Sequence, residues 1–172
     1  DMVNNVVSNG HGGGIYLDNA YLQILQGDII DNIAATSSGG QPAGGGIGAA
    51  YSEIFLGDGV MVSNNMAMWG GGLSMLGSTA YLGRATMEDV KFNHNTAWFG
   101  GGLQAWTSEI YSRGTSFRDN AVTFSGGAGL LWESVFTADS NMLFVSQNHA
   151  AQDGGGFYLG SCLAHLAVVN FG

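Results

Sequence analysis

Acidic side chains are the first candidates for catalysis, because paired carboxylates can transfer protons or bind Ca²⁺. Glu53 and Glu109 each stand in a Ser-Glu-Ile sequence, and Asp31 and Asp119 each precede an asparagine. As members of a repeat, the glutamates lie two units apart, roughly 10 Å, and the aspartates three units apart. Neither pair predicts a catalytic site. Asp119 also follows Arg118, which we interpret as a solvated surface pair.

The histidines and the single cysteine do not have the spacing of metal ligands. The four histidines stand at different positions of the sequence repeat that is described below: His11, His94, His149 and His165. Cys162 precedes His165 by three residues without a third partner, and we interpret it as a buried small hydrophobe rather than a nucleophile. We predict no metal site and no cofactor, because the glycine runs also lack the Lys-Ser/Thr of a phosphate-binding loop.

Aromatic residues recur at a constant distance after an asparagine. Trp69, Phe99 and Phe124 each come four residues after an asparagine, so copies in successive units would stack. An exposed stack would be a platform for a carbohydrate or another partner. We favour core packing instead, because a small apolar residue precedes each ring by two positions. Trp98, one position out of phase, is the better candidate for an exposed aromatic side chain.

The composition excludes several classes of partner. Thirteen acidic residues against four Lys and Arg give a net charge of −9, which disfavours nucleic acid and anionic membranes. Hydrophobic residues make up 45%, enough for a core. There is no long apolar run, so we expect neither a transmembrane helix nor a signal peptide in this segment.

Two signatures recur every 25–33 residues along the whole chain. In the first, a hydrophobic residue is followed three positions later by an asparagine: Asn5, Asn32, Asn65, Asn95, Asn120 and Asn148. In the second, a glycine run leads into an apolar residue. These runs contain Gly12, Gly13, Gly14, Gly44, Gly45, Gly46, Gly70, Gly71, Gly72, Gly100, Gly101, Gly102, Gly126, Gly127, Gly129, Gly154, Gly155 and Gly156. The shared period indicates one structural unit repeated about six times.

Within each unit, apolar residues alternate with other residues in three short segments. After Gly100 these segments start near Leu103, Ser108 and Thr115. The equivalent first-segment positions elsewhere hold Ile15 and Leu17, Leu73 and Met75, Leu130 and Trp132, and Phe157 and Leu159. A period of two predicts strands, and no segment has the pattern of a crossover helix. We therefore predict an all-β fold, a parallel β-helix (solenoid) of about six coils with three short strands each.

Both signatures have a structural interpretation. Glycine triplets are expected at corners where stacked coils leave no room for Cβ atoms. The asparagines are expected at a second corner, where they tolerate left-handed backbone angles and form an amide ladder from coil to coil. Neither signature predicts catalysis.

The two signatures together resemble the repeats of chlamydial polymorphic outer-membrane proteins. The residues that carry this resemblance are Phe92-Asn93-His94-Asn95 with Gly100-Gly101-Gly102-Leu103, and Phe117-Arg118-Asp119-Asn120 with Gly126-Gly127-Ala128-Gly129-Leu130. Those proteins are surface adhesins and autotransporter passengers. The resemblance implies a right-handed parallel β-helix over nearly all of the chain.

We accordingly expect residues 1–172 to be a single β-helix segment of a longer solenoid or a fibre assembly. The expected role is structural or adhesive, as a stalk, adhesin passenger or fibre component outside the cell or at its surface. The expected partners are flanking coils or neighbouring subunits at its ends, and a host surface or carbohydrate. The alternative is a polysaccharide lyase or hydrolase, which carboxylates converging from adjacent coils would favour. We expect no enzymatic activity.

Overall fold

The computed structural model describes residues 1–35, 43–84, 89–139, 143–166 and 169–171. Within these ranges the chain forms strands, turns and loops and contains no helix. Each coil adds one strand to each of three long sheets, and strands in neighbouring coils pair in parallel. This arrangement confirms the predicted all-β parallel β-helix. It makes about five turns, where the repeat count predicted about six.

The strands are named in chain order and grouped by sheet. The first sheet contains β3 (Ile15–Asp18), β7 (Ile47–Ala50), β11 (Leu73–Leu76), β15 (Leu103–Trp106), β19 (Gly129–Trp132) and β23 (Phe157–Gly160). The second sheet contains β4 (Tyr21–Ile24), β8 (Glu53–Leu56), β12 (Thr79–Leu82), β16 (Glu109–Ser112), β20 (Val135–Ala138) and β24 (Leu163–Leu166). The third sheet contains β1 (Met2–Val3), β5 (Asp28–Ile30), β9 (Met61–Ser63), β13 (Val90–Asn93), β17 (Thr115–Arg118), β21 (Leu143–Ser146) and β25 (Val169–Phe171).

A fourth, short sheet was not predicted. Its two-residue strands are β2 (Val6–Val7), β6 (Ile33–Ala34), β10 (Met66–Ala67), β14 (Thr96–Ala97), β18 (Ala121–Val122) and β22 (His149–Ala150). Each follows the repeated asparagine and pairs with the same segment of the next coil. The chain therefore has four strands per coil rather than three, because two residues are too few to show an alternating pattern.

Inward side chains from the three long sheets fill one continuous core. Leu73 and Met75 of β11 and Leu56 of β8 are fully buried within it. Phe92 and Phe117 stack along the axis with their ring centroids 5.0 Å apart. Since each coil covers the next, the core of every coil is closed on both sides by its neighbours.

The fifth glycine run departs from the predicted alignment. Leu130 and Trp132 were assigned to inward positions, but Gly129 and Leu131 pair with the inward Leu103 and Ala105. Gly129 therefore belongs to β19 rather than to the turn. A Cβ atom at Gly129 would lie 2.7 Å from the ring of Phe157 in the next coil, which explains why this slot holds glycine. Leu130 and Trp132 consequently lie on the outer face.

Candidate functional site

The repeated asparagines form a ladder that connects successive coils. Both the backbone N–H and the Nδ2 of Asn65 donate to Oδ1 of Asn95, at 3.0 and 3.1 Å. Nδ2 of Asn65 also donates to the carbonyl of Ile29 in the preceding coil, at 2.8 Å. The four central side chains, which are 0% exposed, are Asn32, Asn65, Asn95 and Asn120. Every one of these buried amides is hydrogen-bonded, so the ladder stabilises the stacking of the coils.

The left-handed backbone angles at this corner belong to the residue before each ladder asparagine. These residues are Asn4, Asp31, Asn64, His94, Asp119 and Gln147, with φ between 53° and 57°. Asn and Asp adopt this conformation more readily than most residues. The aspartates at this position therefore have a conformational reason to be there, and the sequence analysis had assigned the left-handed angle one residue too late.

A second ladder, which the sequence analysis missed, lies at the corner between the first and second sheets. Oγ of Ser108 accepts the backbone N–H of Ser78 at 3.1 Å, and the hydroxyls of Ser52, Ser78 and Ser134 accept in the same way. Cys162 holds the last position, where its Sγ accepts the N–H of Ser134 at 3.5 Å. Cys162 packs against the hydrophobic core as expected of a small hydrophobe, but it is only half-buried and is also hydrogen-bonded.

Because Cys162 occupies a serine position, we expect Cys162→Ser to melt at the same temperature as the parent or higher. A hydroxyl accepts a hydrogen bond better than a thiol does. Cys162→Val should melt lower than Cys162→Ser, since the N–H of Ser134 loses its acceptor, at a cost of about 1–3 kcal/mol. Circular-dichroism melts of the two variants test this. A valine variant as stable as the serine variant would contradict the ladder assignment.

The acids singled out from the sequence remain dispersed. Thr79 lies between Glu53 and Glu109 in the register of the second sheet. Asp119 lies 3.5 Å from Nε of Arg118 and 3.9 Å from Nε2 of His94, and all three side chains contact solvent. Among the described residues, no group of three or more His, Cys, Asp and Glu is placed to hold a metal ion.

One pair of acids does interact between adjacent coils. Asp89, just before β13, has its pKa raised first by burial and further by the negative charge of Asp58 in the preceding coil, while Lys91 opposes the shift. The sequence analysis did not find this pair because the two residues are not at the same repeat position. The turns that precede β9 and β13 differ in length, so the repeat spacing does not align Asp58 with Asp89.

Asp89 predicts a dependence of stability on pH. Its pKa is higher in the folded than in the unfolded chain, so the folded state binds a proton more tightly and loses stability as Asp89 ionises with rising pH. We therefore expect Asp89→Asn to raise the melting temperature at pH 8 and to have little effect at pH 3. Thermal melts at both pH values test this. A larger stabilisation at pH 3 would contradict it.

Trp69, Phe99 and Phe124 form what we call the corner stack, just before the glycine turns. Adjacent ring centroids are 4.6 and 4.9 Å apart, with planes within 15° of parallel. All three side chains are half-buried and lie outside the hydrophobic core, so the prediction of core packing was wrong. Trp98 is 50% exposed and contacts Phe124 edge-on, at a centroid distance of 6.3 Å.

The glycine turns place the corner stack beside the outer face of the first sheet. Gly100 has a φ of 63°, and a Cβ atom there would lie 2.4 Å from the carbonyl oxygen of Leu103. The chain can therefore double back tightly between Phe99 and β15. As a result Phe99 and Trp106, on opposite sides of this turn, line the same cavity.

This cavity, here called the aromatic groove, has a volume of about 290 Å³. It is lined mainly by Trp69, Phe99, Trp106, Leu130, Trp132 and Tyr158. Three of the chain's four tryptophans thus meet at one place. Trp106 and Trp132 end β15 and β19, where they are register partners with ring centroids 6.4 Å apart. Ser125 and Asp153 complete the lining.

The second sheet carries a separate aromatic cluster. Tyr81 and Tyr111 stack at 5.3 Å, and the hydroxyl of Tyr111 donates to Glu109 at 2.9 Å. This hydrogen bond, followed by the negative charge of Glu109, raises the pKa of Tyr111. The guanidinium of Arg84 lies 4.9 Å from the ring centroid of Phe55 on the same face. The cluster is more polar than the aromatic groove and has no tryptophan.

No helix in the described part of the chain is long and apolar enough to cross a membrane. Comparison of the chain with protein-family models, characterised proteins and solved structures finds no match.

Proposed function

We propose that this protein is an extracellular structural and adhesive element, a stalk, adhesin passenger or fibre component that presents a rigid binding surface. The observation that carries this proposal is the combination of an unbroken asparagine ladder with an outward-facing aromatic groove. The ladder holds the coils together, and the groove offers a contact surface at a defined place on the rod.

The rigidity follows from the direction of the hydrogen bonds. Strands pair from coil to coil in four sheets, so the inter-strand bonds run along the rod axis. The asparagine and serine ladders add side-chain bonds in the same direction. Stretching the rod must therefore break many bonds at once between one coil and the next, while neighbouring coils remain paired. Such a rod transmits force and keeps attached surfaces apart.

The surface chemistry also supports the adhesive role. The net charge of −9 favours solubility and discourages nonspecific contact with nucleic acid and anionic lipid. Large aromatic side chains exposed on such a surface are typical of contact sites, since they bury much apolar area on binding. The groove is thus the most plausible part of the rod to hold a partner.

Adhesion under flow tests the proposal. Beads coated with the protein should be retained on cultured animal cells or polysaccharide-coated surfaces better than beads coated with an unrelated protein of equal negative charge. Retention equal to that control on every surface would contradict the adhesive role. Release of unsaturated sugar ends from pectin or alginate, abolished by Asp119→Asn, would instead indicate a polysaccharide lyase.

A further inference from the structure

We infer that the aromatic groove binds a neutral saccharide, one or two sugar rings of a glycan chain. This inference deepens the proposed function, because it names what the rod would contact. It rests on the lining of the groove, its charge, its size and its position on the sheet, which are taken in turn below.

The lining matches the two kinds of surface on a sugar ring. The faces of a pyranose carry C–H bonds with partial positive charge, which pack on the electron-rich faces of aromatic rings. Trp106 and Trp132 supply two such rings, tilted by 46° to each other. The indole N–H groups and the hydroxyls of Tyr158 and Ser125 can pair with the hydroxyls at the edge of the sugar.

The charge of the groove disfavours an anionic ligand. The described lining contains no lysine or arginine, and its one ionisable acid is Asp153. A carboxylated or sulfated sugar would find no cation in the groove and would meet the field of a molecule with net charge −9. A single carboxylate can instead accept hydrogen bonds from neutral hydroxyls.

Size and position argue against a peptide. About 290 Å³ is at the low end of the range for ligand sites, and an amphipathic helix needs a longer groove. The floor is the outer face of a sheet, whose N–H and C=O groups are already used by neighbouring strands. A peptide therefore cannot add to this sheet as a further strand here. A sugar ring can bury its apolar face and keep most of its hydroxyls in water.

Isothermal titration calorimetry with defined oligosaccharides tests the inference. The probes are cellohexaose, mannohexaose and N-acetylchitohexaose, with hexagalacturonate as the anionic control and a proline-rich decapeptide as the peptide control. At least one neutral hexasaccharide should bind, and the two controls should not. Trp106→Ala should weaken that binding about tenfold or more, because it removes one stacking face.

Trp98→Ala is the matched control, since Trp98 is a tryptophan of similar exposure outside the groove, 50% against 44% for Trp106. It should change affinity less than twofold. Trp106→Phe, which keeps an aromatic ring and a folded chain, should retain most of the affinity. The inference is overturned if no neutral probe binds, if a control binds more tightly, or if Trp98→Ala weakens binding as much as Trp106→Ala.

The bead assay and the calorimetry together separate this inference from the proposed function. If beads adhere but no neutral saccharide binds, the adhesive role stands and the ligand assignment is wrong. If a saccharide binds in the groove but the beads do not adhere, the site is real and the adhesive role is wrong.

Discussion

Replacing Asn95 with leucine is expected to lower the melting temperature by roughly 5–20 °C. The substitution removes Oδ1, which accepts both the N–H and the Nδ2 of Asn65. The buried backbone N–H of Asn65 is then left without a partner, at a cost of about 1–3 kcal/mol, and its Nδ2 keeps only the carbonyl of Ile29. The carbonyl of Val62 also loses the Nδ2 of Asn95. Since domains are stable by only about 5–15 kcal/mol, the effect is large.

The matched control is Thr96→Leu, one residue away on the exposed side of the same corner. It makes the same change to leucine without touching the ladder, and we expect it to shift the melting temperature by less than a few degrees. Hydrogen exchange should accelerate at the amide of Asn65 and stay slow at Asn32, whose acceptor on Asn65 remains in place. A leucine variant that melts with the parent would show that the ladder does not stabilise the coils.

The polypeptide of residues 1–172 is expected to associate end to end in solution. At the end formed by β23 and β24, Leu159 and Leu166 stand at inward positions but remain 43% and 37% exposed. These two leucines line an open cavity of about 370 Å³, together with Phe136, Gly156 and Phe157. The other end exposes Met2, which is the register partner of the buried Ile29. These surfaces combine uncovered core with strand edges, which promotes pairing with another chain.

Sedimentation velocity measures this association. Adding foreign capping coils, or replacing Leu159 and Leu166 with lysine, should shift the population towards monomer, because a charged end resists burial. Met66→Lys is the matched control, since Met66 is equally exposed on the side of the rod. A stable monomer at tens of micromolar, with β1 and β24 protected from hydrogen exchange, would contradict this prediction.

The sequence was sufficient to predict the repeat and the fold class. Parallel stacking converts a regular spacing along the chain into a ladder along the axis, so the spacing of Asn65, Asn95 and Asn120 carried three-dimensional information directly. The alternation of apolar residues identified the strands for the same reason, because one side of every strand faces a shared core. The excess of acids over cations predicts, from composition alone, that nucleic acid is a poor partner.

Periodicity was insufficient wherever the coils differ in length. In the fifth unit the extra residue precedes the glycine run, and Gly129 rather than Leu130 takes the slot paired with Leu103, so Leu130 and Trp132 lie on the outer face. Asp58 and Asp89 meet for a similar reason, since their turns are not equivalent. The serine ladder, by contrast, was visible as separations of 26 and 30 residues between Ser52, Ser78, Ser108 and Ser134, and the sequence analysis overlooked it.

Only the tertiary structure shows which aromatic side chains are exposed and which of them lie together. The shared position of Trp69, Phe99 and Phe124 in the repeat predicted that they would stack. A position in the repeat does not reveal whether another segment covers the stack. Nor could it show that Trp106 and Trp132 lie beside Phe99, because that depends on how sharply the chain reverses at glycine turns such as Gly100. Spacing along the chain determines which residues align from coil to coil, whereas folding within one coil determines which ladders become neighbours and so create the groove.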